Sequence, residues 1–550
     1  MNPSPIDRRA AIRVLLSGAG VALLAACTAA PASPTPVPTT VPSKPNTAPP
    51  QPTSQPPTPV AVATAPKPAA AAAKSGGTLR LGMVGDISTL DGHNTTPNQF
   101  DTTWSVFDRL ISYDDKLQPQ PELAESWDLS ADLTQIKLNL RKGVQWHSGR
   151  EFTSDDVKYN LLRVRDANLQ IPTLRNQSNW FTSIETPDKY TIVLKSDLPR
   201  PAIFDFFEYF NQVDQVTMEG PDAKTASIGT GPFKFVEWVQ GDHLTFVRNP
   251  SYWKSGRPYV DTFVASARDA QAMLVQLEAG TLDVAKGPAP NDFARYRGEA
   301  GYQTTIHSVS GNYFLFGLNL GIPPLENKQV RQALNYALDR KRFVETFMFG
   351  TGTAQSLPWP SSSPAFEASK QDFYAFDLDK AASLLKAAGV SGLTLDCNVL
   401  AAWPQLVSFA PAYQADLARI GVTLNIRPLE LAIWVDEAVN RKYKGMYLSN
   451  STFAQLEPSS TLSNGRATDP NSNNSLFKND AYSTLIAQAS SEPDAAKRKV
   501  LYSQLNDILL DESFIMVLAG APPTLVAHSN VTGIAPSAHD GFYYDQTSIG

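Results

Sequence analysis

The pattern of apolar and polar positions predicts a mixed α/β chain from Gly77 onward. The run Thr78–Val84 predicts a strand, and residues 134–141 alternate polar and apolar side chains as a half-exposed strand does. Residues 327–347 and 379–385 instead repeat apolar side chains at the period of an α-helix. We therefore expect lobes that are built from both strands and helices.

Residues 1–27 have the features of an export signal. Three arginines precede an apolar stretch, residues 14–26, which is too short for a permanent membrane span of about 20 residues. The stretch ends at Cys27 in a sequence similar to the bacterial lipoprotein box, where the thiol receives a diacylglycerol. We predict that lipidated Cys27 anchors the chain to the cell membrane in the extracytoplasmic space (periplasm or cell wall). The pair Arg8 and Arg9 leaves the general and the twin-arginine export pathways open.

Residues 28–76 consist mainly of Pro, Ala, Thr and Ser, with almost no large apolar side chain. Such a segment cannot bury enough surface to offset the entropy cost of ordering, so we predict a disordered tether. In the extended polyproline form, at roughly 3.1 Å per residue, it would hold the folded body up to about 150 Å from the membrane.

Composition and charge exclude several functional classes. The 550 residues suffice for two or three domains, since single cores stop growing at roughly 250–300 residues. With 47 basic and 53 acidic side chains the net charge is −6, so no basic field exists to bind nucleic acid. Cys397 has no intrachain partner once Cys27 is assigned to lipid. We predict no metal and no cofactor, because the histidines show no metal-ligand spacing: His93, His147, His243, His307, His528 and His539.

Several short motifs have structural interpretations. Gly143 supplies the positive φ of a turn after a strand. Thr153 caps a helix that carries Asp155 and Asp156 in its first turn. The Gly-Thr-Gly-Pro sequence at 229–232 predicts a turn before a strand, because the Gly-Lys-Ser/Thr ending of a phosphate loop does not follow.

A secreted hydrolase is the rival from another functional class, because two acidic side chains in a cleft can do acid/base work. The adjacent pairs 114–115 and 155–156 are explained by a turn and by helix capping. Gly-x-Ser-x-Gly and His-Glu-x-x-His are absent from the sequence. We expect a binding protein and not an enzyme.

Eight motifs follow one another in a fixed order after Gly77 and carry a family resemblance. Their sequences and order resemble the extracellular solute-binding proteins of the oligopeptide, dipeptide and nickel ABC importers, family 5. Each motif alone is weak, but together they cover nearly the whole chain after the tether. They lie at residues 88–91, 107–110, 121–127, 140–149 with 153–157, 229–234, 248–253, 277–283 and 330–339.

The resemblance implies an α/β fold of the periplasmic-binding-protein type II kind, with two lobes and an extra subdomain on the first lobe. On that pattern residues 77–302 form the first lobe with its subdomain, 303–518 form the second lobe, and 519–550 return to the first lobe. Hinges are expected near 303–308 and 515–525. The solute is enclosed between the lobes, and it drives closure only by binding the closed form more tightly. The implied partners of this monomer are an ABC permease and its ATPase subunits.

The second-lobe run at residues 450–458 is where the sequence departs from peptide-binding members of the family. Those members carry roughly Gly-Trp-x-x-Asp-Tyr, whose aspartate neutralises the peptide amine, and Ala454 occupies that place here. The basic residue that meets a peptide carboxylate in some members falls on Leu448. A buried ammonium without a counter-charge is costly. Either Glu457 reaches the amine position, or the solute is an oligosaccharide- or opine-type molecule instead of a peptide.

The predicted ligand contacts combine aromatic rings with small polar side chains. Flat rings cover the apolar faces of sugars or side chains, while amides and hydroxyls hydrogen-bond to hydroxyl groups or peptide backbone. For each tryptophan, packing in the core is the alternative interpretation. The set is Thr95, Thr96, Asn98, Trp104, Trp403, Trp434, Asn450, Ser451, Thr452, Ala454 and Glu457.

Overall fold

The computed structural model describes residues 74–94, 99–169, 171–221, 223–307, 311–451 and 456–550. The predicted signal, the tether up to residue 73 and the lipidation site Cys27 lie outside these ranges.

The strands are β1 (Thr78–Val84), β2 (Ile111–Tyr113), β3 (Pro119–Pro121), β4 (Ala124–Leu129), β5 (Gln135–Leu140), β6 (Ser183–Asp188), β7 (Thr191–Lys195), β8 (Phe233–Val239), β9 (His243–Arg248), β10 (Thr262–Arg268), β11 (Val284–Lys286), β12 (Tyr302–Ile306), β13 (Tyr313–Leu318), β14 (Thr353–Ala354), β15 (Thr394–Leu400), β16 (Thr423–Leu429), β17 (Gly445–Ser451), β18 (Ile515–Gly520), β19 (Thr524–His528), β20 (Val531–Thr532), β21 (Ala535–Pro536), β22 (Phe542–Tyr543) and β23 (Ser548–Ile549).

The helices are α1 (Phe100–Val106), α2 (Ser154–Arg163), α3 (Pro172–Ser178), α4 (Ile203–Tyr209), α5 (Gln215–Glu219), α6 (Ala270–Glu278), α7 (Pro290–Tyr296), α8 (Pro323–Glu326), α9 (Lys328–Tyr336), α10 (Arg340–Arg342), α11 (Leu378–Ala387), α12 (Pro404–Arg419), α13 (Leu431–Val439), α14 (Pro458–Asn464), α15 (Asp480–Ala489) and α16 (Ala495–Glu512). A π-helical turn covers Phe343–Phe347, and a 3₁₀ turn covers Ala368–Lys370.

Three larger sheets organise the described residues. The first lobe is built on a seven-stranded sheet in the order β12-β19-β11-β1-β10-β9-β8. The second lobe is built on a six-stranded sheet in the order β14-β18-β13-β17-β15-β16. A four-stranded antiparallel sheet, β4-β5-β7-β6, forms the subdomain, whose chain lies between β1 and β8 of the first lobe. The predicted α/β fold with two lobes and an extra subdomain is confirmed. The residue bounds 77–302, 303–518 and 519–550 stay a prediction.

The strand β1 was predicted from sequence and lies in the middle of the first-lobe sheet. It runs parallel to β10 on one side and to β11 on the other, and Leu79 and Leu81 are fully buried. Leu79, Leu81 and Met83 face the first-lobe core, whereas Arg80 and Val84 on the opposite face are exposed. The alternating segment predicted at 134–141 is β5, in which Ile136, Leu138 and Leu140 point into the subdomain core.

The predicted scaffold motifs take the expected local structures. Thr153 and Asp156 form a reciprocal capping box at the start of α2. Gly143 has a φ of +77°. Gly229 and Gly231 precede β8 and lie against the Val106 carbonyl, so a Cβ there would come within 1.9 and 2.6 Å of its oxygen. That approach excludes any other residue at the two glycines.

The predicted helix at 327–347 is interrupted in the structure. The helix α9 ends at Tyr336, and α10 begins after Asp339, whose side chain accepts a hydrogen bond from the Arg342 backbone N–H. The buried Arg340 side chain donates to the carbonyls of Asn335 and Leu338 at the end of α9. The side chains of Asp339 and Arg340 thus take backbone groups that a continuous helix would use. The helix is broken here, although the apolar period of the sequence continues.

Candidate functional site

The candidate site is the cleft between the lobes, beside the segments that connect the two sheets. Within the described ranges the chain passes from one sheet to the other twice, between β12 and β13 and again between β18 and β19. The two connections are hydrogen-bonded to each other: His307 N–H donates to the Pro523 carbonyl at 2.9 Å, and Ala521 N–H donates to the Asn312 carbonyl at 2.8 Å. A short paired connection of this kind can act as a hinge, because a few residues absorb the change in backbone angles.

Two predicted ligand contacts of the second lobe lie together near the hinge residue Asn312, and they are called the second-lobe wall. The Trp403 indole Nε1 donates to the Asn450 amide oxygen at 3.0 Å, and both side chains are half-buried. The Trp403 ring packs edge-on against Phe314, with ring centroids 5.2 Å apart. Asn450 lies opposite Phe314 in the pairing of β17 with β13, so the sheet itself brings these residues together. The wall offers neutral hydrogen-bonding groups beside an aromatic face.

Ser451 is the last residue of β17 and continues this wall. It is half-buried and lies opposite Tyr313 in the neighbouring strand. Burial raises the pKa of Tyr313 to about 12, and a hydrogen bond with Ser451 opposes that shift. Five predicted contacts lie outside the described residues: Thr95, Thr96, Asn98, Thr452 and Ala454.

Trp434 packs inside the second lobe. Its side chain is 8% exposed and meets the Tyr447 ring edge-on at 5.6 Å, in a cluster with Leu400, Ala438 and Tyr443. The core-packing interpretation describes this environment, and a ligand contact by Trp434 stays a prediction.

Trp104 packs inside the first lobe. Its ring stacks on Phe100 with centroids 4.4 Å apart, and the Arg109 guanidinium lies over the ring, 4.4 Å from its centroid. Trp104 lines a cavity of about 160 Å³. A ligand contact by Trp104 stays a prediction. The cavity lining includes Asp108, Arg109, Glu122, Tyr252, Lys254 and Tyr543.

Glu457 is held by its own lobe. It is the N-cap residue of α14, and its carboxylate accepts a hydrogen bond from the Ser460 backbone N–H at 3.1 Å. The hydroxyls of Ser459 and Tyr502 also donate to this carboxylate. Burial raises the pKa of Glu457 to about 7, and repulsion from Asp205 adds to the effect. A solute amine would compete with these three donors for the Glu457 oxygens.

Asp205 is a residue that the sequence analysis missed. It lies on α4, which packs in the subdomain core, and its carboxylate accepts hydrogen bonds from two backbone N–H groups of the second lobe. The donors are Leu456 at 2.8 Å and Glu457 at 2.7 Å, and the Tyr113 hydroxyl of the subdomain donates at 3.0 Å. Burial raises the pKa of Asp205 to about 6, against the effect of these bonds. The available signal was a lone carboxylate inside the apolar run Ile203–Phe207.

Two further buried ion pairs hold the first lobe together, and neither was predicted. Arg109 donates to Glu208 at 2.8 Å, with side chains that are 4% and 0% exposed. Asp101 pairs with Lys286 and also accepts hydrogen bonds from the Tyr544 hydroxyl at 3.0 Å. The ion pair ties α1 to β11, and the Tyr544 hydrogen bond ties α1 to the C-terminal return of the chain.

Other kinds of site find little support in the described part of the chain. It contains no cluster of three or more His, Cys, Asp or Glu side chains suited to a metal ion. Cys397 is a free thiol there, and burial raises its pKa. Asp114 accepts hydrogen bonds from the backbone N–H groups of Lys116 and Gln118 in a turn, as the turn interpretation expects. No described helix combines the length and the apolar character that a membrane crossing requires.

Sequence comparison shows which proteins this chain is similar to. The family profile "Bacterial extracellular solute-binding proteins, family 5 Middle" matches residues 118–473. Heme-binding protein A of Haemophilus influenzae is 28% identical over 482 residues, which are 81% of this chain and 85% of that protein. The dipeptide-binding protein of Escherichia coli is 26% identical over 462 residues, covering 78% of this chain and 84% of that protein.

Structure comparison gives the same fold. The periplasmic binding protein DppA of Helicobacter pylori, solved in complex with the peptide STSA, superposes with a TM-score of 0.75 at 22% identity. The match covers 86% of this chain and 98% of that chain. The family profile covers most of the chain. The two-lobed architecture with its paired hinge indicates the same family. The chain therefore belongs to the bacterial extracellular solute-binding proteins of family 5, which serve as the substrate-binding components of ABC importers.

Proposed function

We propose that this chain captures a peptide, or a similar small polar solute, in the cleft between its lobes and delivers it to an ABC permease. The observation that carries the proposal is the hinge, in which His307 and Ala521 hydrogen-bond the two connecting segments to each other. Beside it lies a wall of Trp403, Asn450 and Ser451. A rigid pair of lobes on such a hinge can close around a solute without altering it chemically.

The neutral second-lobe wall suits peptide backbone, because amides and hydroxyls match its N–H and C=O groups. Proteins with 26–28% identity to this chain are named for heme and for dipeptide binding, which supports a small solute of this size class. The same neutrality favours a second candidate. Trp403 and Asn450 would equally bind an oligosaccharide- or opine-type molecule, because the hydrogen bond between them joins an indole to an amide and involves no carboxylate.

Native mass spectrometry of the Cys27→Ser chain, purified without refolding, tests the proposal by weighing any solute that the protein retains. Titration calorimetry then compares trialanine, N-acetylated trialanine, an opine and a trisaccharide. Binding of trialanine supports the peptide class, whereas binding of only the trisaccharide or the opine supports the second candidate. Chemical conversion of a bound solute would instead indicate an enzyme and would contradict the proposal.

The anchoring part of the proposal rests on Cys27 and on the tether at residues 28–76. Two acyl chains on Cys27 would hold the chain stably on the extracytoplasmic face, whereas one chain gives marginal binding. Cys27→Ser should therefore move the protein from the membrane fraction to the soluble fraction. Membrane retention equal to that of the unchanged chain would refute the lipid anchor. Light scattering of the soluble variant checks the proposed monomer.

A further inference from the structure

One direct contact between the lobes uses a side chain from the subdomain and backbone from the second lobe. Asp205 lies on α4, whose neighbours Ile203, Phe206 and Phe207 are buried in the subdomain core. Its carboxylate accepts the backbone N–H groups of Leu456 and Glu457, which lie more than 250 residues further along the chain. Because α4 and α14 pack in different hydrophobic cores, this contact forms only when the two bodies meet.

The contact is built on both sides. In the subdomain, Asp205 is 2% exposed, and the Tyr113 hydroxyl donates to its other oxygen at 3.0 Å. In the second lobe, the Glu457 carboxylate is engaged by the Ser460 N–H, which fixes the start of α14 behind the two donating amides. The acceptor and the donors are therefore held in place by their own lobes before they meet.

A buried carboxylate and two buried N–H groups satisfy one another here. If the carboxylate is removed, the N–H groups of Leu456 and Glu457 lose their acceptor in the closed arrangement, although water can satisfy them when the lobes separate. The loss of these two bonds thus falls on the closed state, whereas the Tyr113 hydrogen bond is lost within the subdomain in either state. A residue that acts in this way changes how long a solute stays enclosed.

We propose that Asp205 is a positioning residue for solute binding: by accepting the N–H groups of Leu456 and Glu457, it sets the closed spacing of the lobes. The proposal rests on the proposed function, because it assigns to Asp205 the geometry in which the cleft wall of Trp403 and Asn450 encloses a solute. Asp205 does not itself need to touch the solute.

The experiment uses the full chain with Cys27→Ser and three variants of the contact. Asp205→Ala removes the acceptor, Asp205→Asn keeps the shape and one acceptor oxygen, and Tyr113→Phe removes only the hydrogen bond within the subdomain. Trialanine is the probe, and stopped-flow fluorescence gives its association and dissociation rates. Thermal unfolding without peptide reports whether each variant keeps its fold.

We expect Asp205→Ala to bind trialanine roughly tenfold more weakly, through faster dissociation with little change in association. Asp205→Asn should lose less, and Tyr113→Phe should stay within about twofold of the parent. The unfolding temperature of the peptide-free protein should move little in all three. Affinity and dissociation rate that are unchanged in Asp205→Ala would overturn the proposal.

A second readout keeps the test independent of the solute class. Spin labels on Glu125→Cys of the subdomain and Lys478→Cys of the second lobe, both exposed positions, report the distance between the lobes. Asp205→Ala should lower the fraction of molecules at the short distance relative to Tyr113→Phe. If the parent does not bind trialanine, the peptide class fails, and the distance measurement still decides the role of Asp205. Identical distance distributions in the parent and Asp205→Ala would overturn it.

Discussion

The two lobes each bury an arginine but satisfy it in different ways. Arg109 of the first lobe pairs with the buried carboxylate of Glu208, which raises the pKa of the guanidinium. Arg340 of the second lobe donates to backbone carbonyls, including those of Val517 and Tyr374, and burial lowers its pKa to about 10. The first arrangement depends on an opposite charge, and the second depends on correctly folded backbone.

The subdomain and the second lobe also differ in the groups that they contribute near their junction. The subdomain contributes a carboxylate, Asp205, to the contact between the lobes, whereas the described second-lobe wall contributes the neutral side chains of Trp403, Asn450 and Ser451. In the first lobe, the buried charges of Arg109 and Asp101 are each paired with an opposite charge of the protein itself. Selection of a solute by this wall would therefore depend on shape and neutral hydrogen bonds.

Breaking the Arg109–Glu208 pair should have the largest effect. Arg109→Met leaves the Glu208 carboxylate buried without a counter-charge, so we expect about 3–5 kcal/mol of destabilisation in urea unfolding. Arg340→Met removes a charge that has no carboxylate partner among its hydrogen bonds, and we expect a smaller loss of about 1–3 kcal/mol. Adding Glu208→Gln to Arg109→Met should recover part of the stability. Equal losses in the two single variants would contradict the contrast between the arginines.

Giving the neutral wall a charge is the next strongest test. If Ala454 occupies the place of the amine-binding aspartate, Ala454→Asp should tighten binding of peptides with a free N-terminus by about 1.5–3 kcal/mol, roughly ten- to a hundredfold. N-acetylated trialanine and a trisaccharide should gain nothing and should weaken, because the new carboxylate is then desolvated without a partner. Calorimetry with both solute classes measures this. Unaltered binding of free-amine peptides would place the amine site elsewhere.

Two tryptophans of the second lobe sharpen the comparison further. Trp403→Phe keeps a ring against Phe314 but removes the donor to Asn450, so we expect about 1 kcal/mol, or fivefold, weaker binding of trialanine. Trp434→Phe is the matched control, because Trp434 packs against Tyr447 within the lobe. Its binding should equal that of the parent. Equal losses in both variants would indicate an indirect effect of packing.

The pH dependence of stability is the smallest expected effect. Burial raises the pKa of Glu457 from its usual 4.5 to about 7, so the folded state holds a proton that the unfolded state releases. This contribution is complete below pH 4.5 and disappears as the pH rises through 7. The Glu457 carboxyl should therefore contribute up to about 1 kcal/mol of stabilisation when the pH falls from 8 to 6.5, measured by urea unfolding. Glu208, whose pKa burial also raises to about 7, should contribute with the same sign.

Glu457→Gln should reduce this gain, whatever its effect on absolute stability, and Glu125→Gln at an exposed position serves as the control. The pH range stops at 6.5 because buried histidines act in the opposite sense, and their effect grows as the pH falls through 6.5, their usual pKa. Burial lowers their pKa to about 4, so the unfolded state takes up protons first. A gain that persists unchanged in Glu457→Gln would contradict the assignment. These histidines are His93, His147 and His307.

Much of the local structure could be predicted because its causes are local. The strand Thr78–Val84, the capping box of Thr153 and the turn glycine Gly143 each depend on a few neighbouring residues. The interruption after Tyr336 could not be predicted, since Asp339 and Arg340 take backbone groups that the periodic pattern assigns to a continuous helix.

The candidate site was predicted unevenly for the same reason. Trp403 and Asn450 come together because β15 and β17 are neighbouring parallel strands, a pairing that the order of strands along the chain does not reveal. Trp104 and Trp434 have the same side chain as Trp403, yet their rings lie in packed clusters of their own lobes. Residue type therefore could not predict that Trp403 is half-buried whereas Trp104 and Trp434 are buried.

By itself the sequence determined the α/β character of the chain, the order of its motifs, and the family whose fold those motifs share. Periodicity and short turn signals depend on residues that are close in sequence. They can therefore be recognised without knowledge of the tertiary structure. Only the tertiary structure decided that Asp205 meets the N–H groups of Leu456 and Glu457, and that Glu457 caps α14. These contacts join groups that lie far apart in the sequence, so no local pattern encodes them. Burial at the junction strengthens each hydrogen bond, because the surroundings have a low dielectric constant.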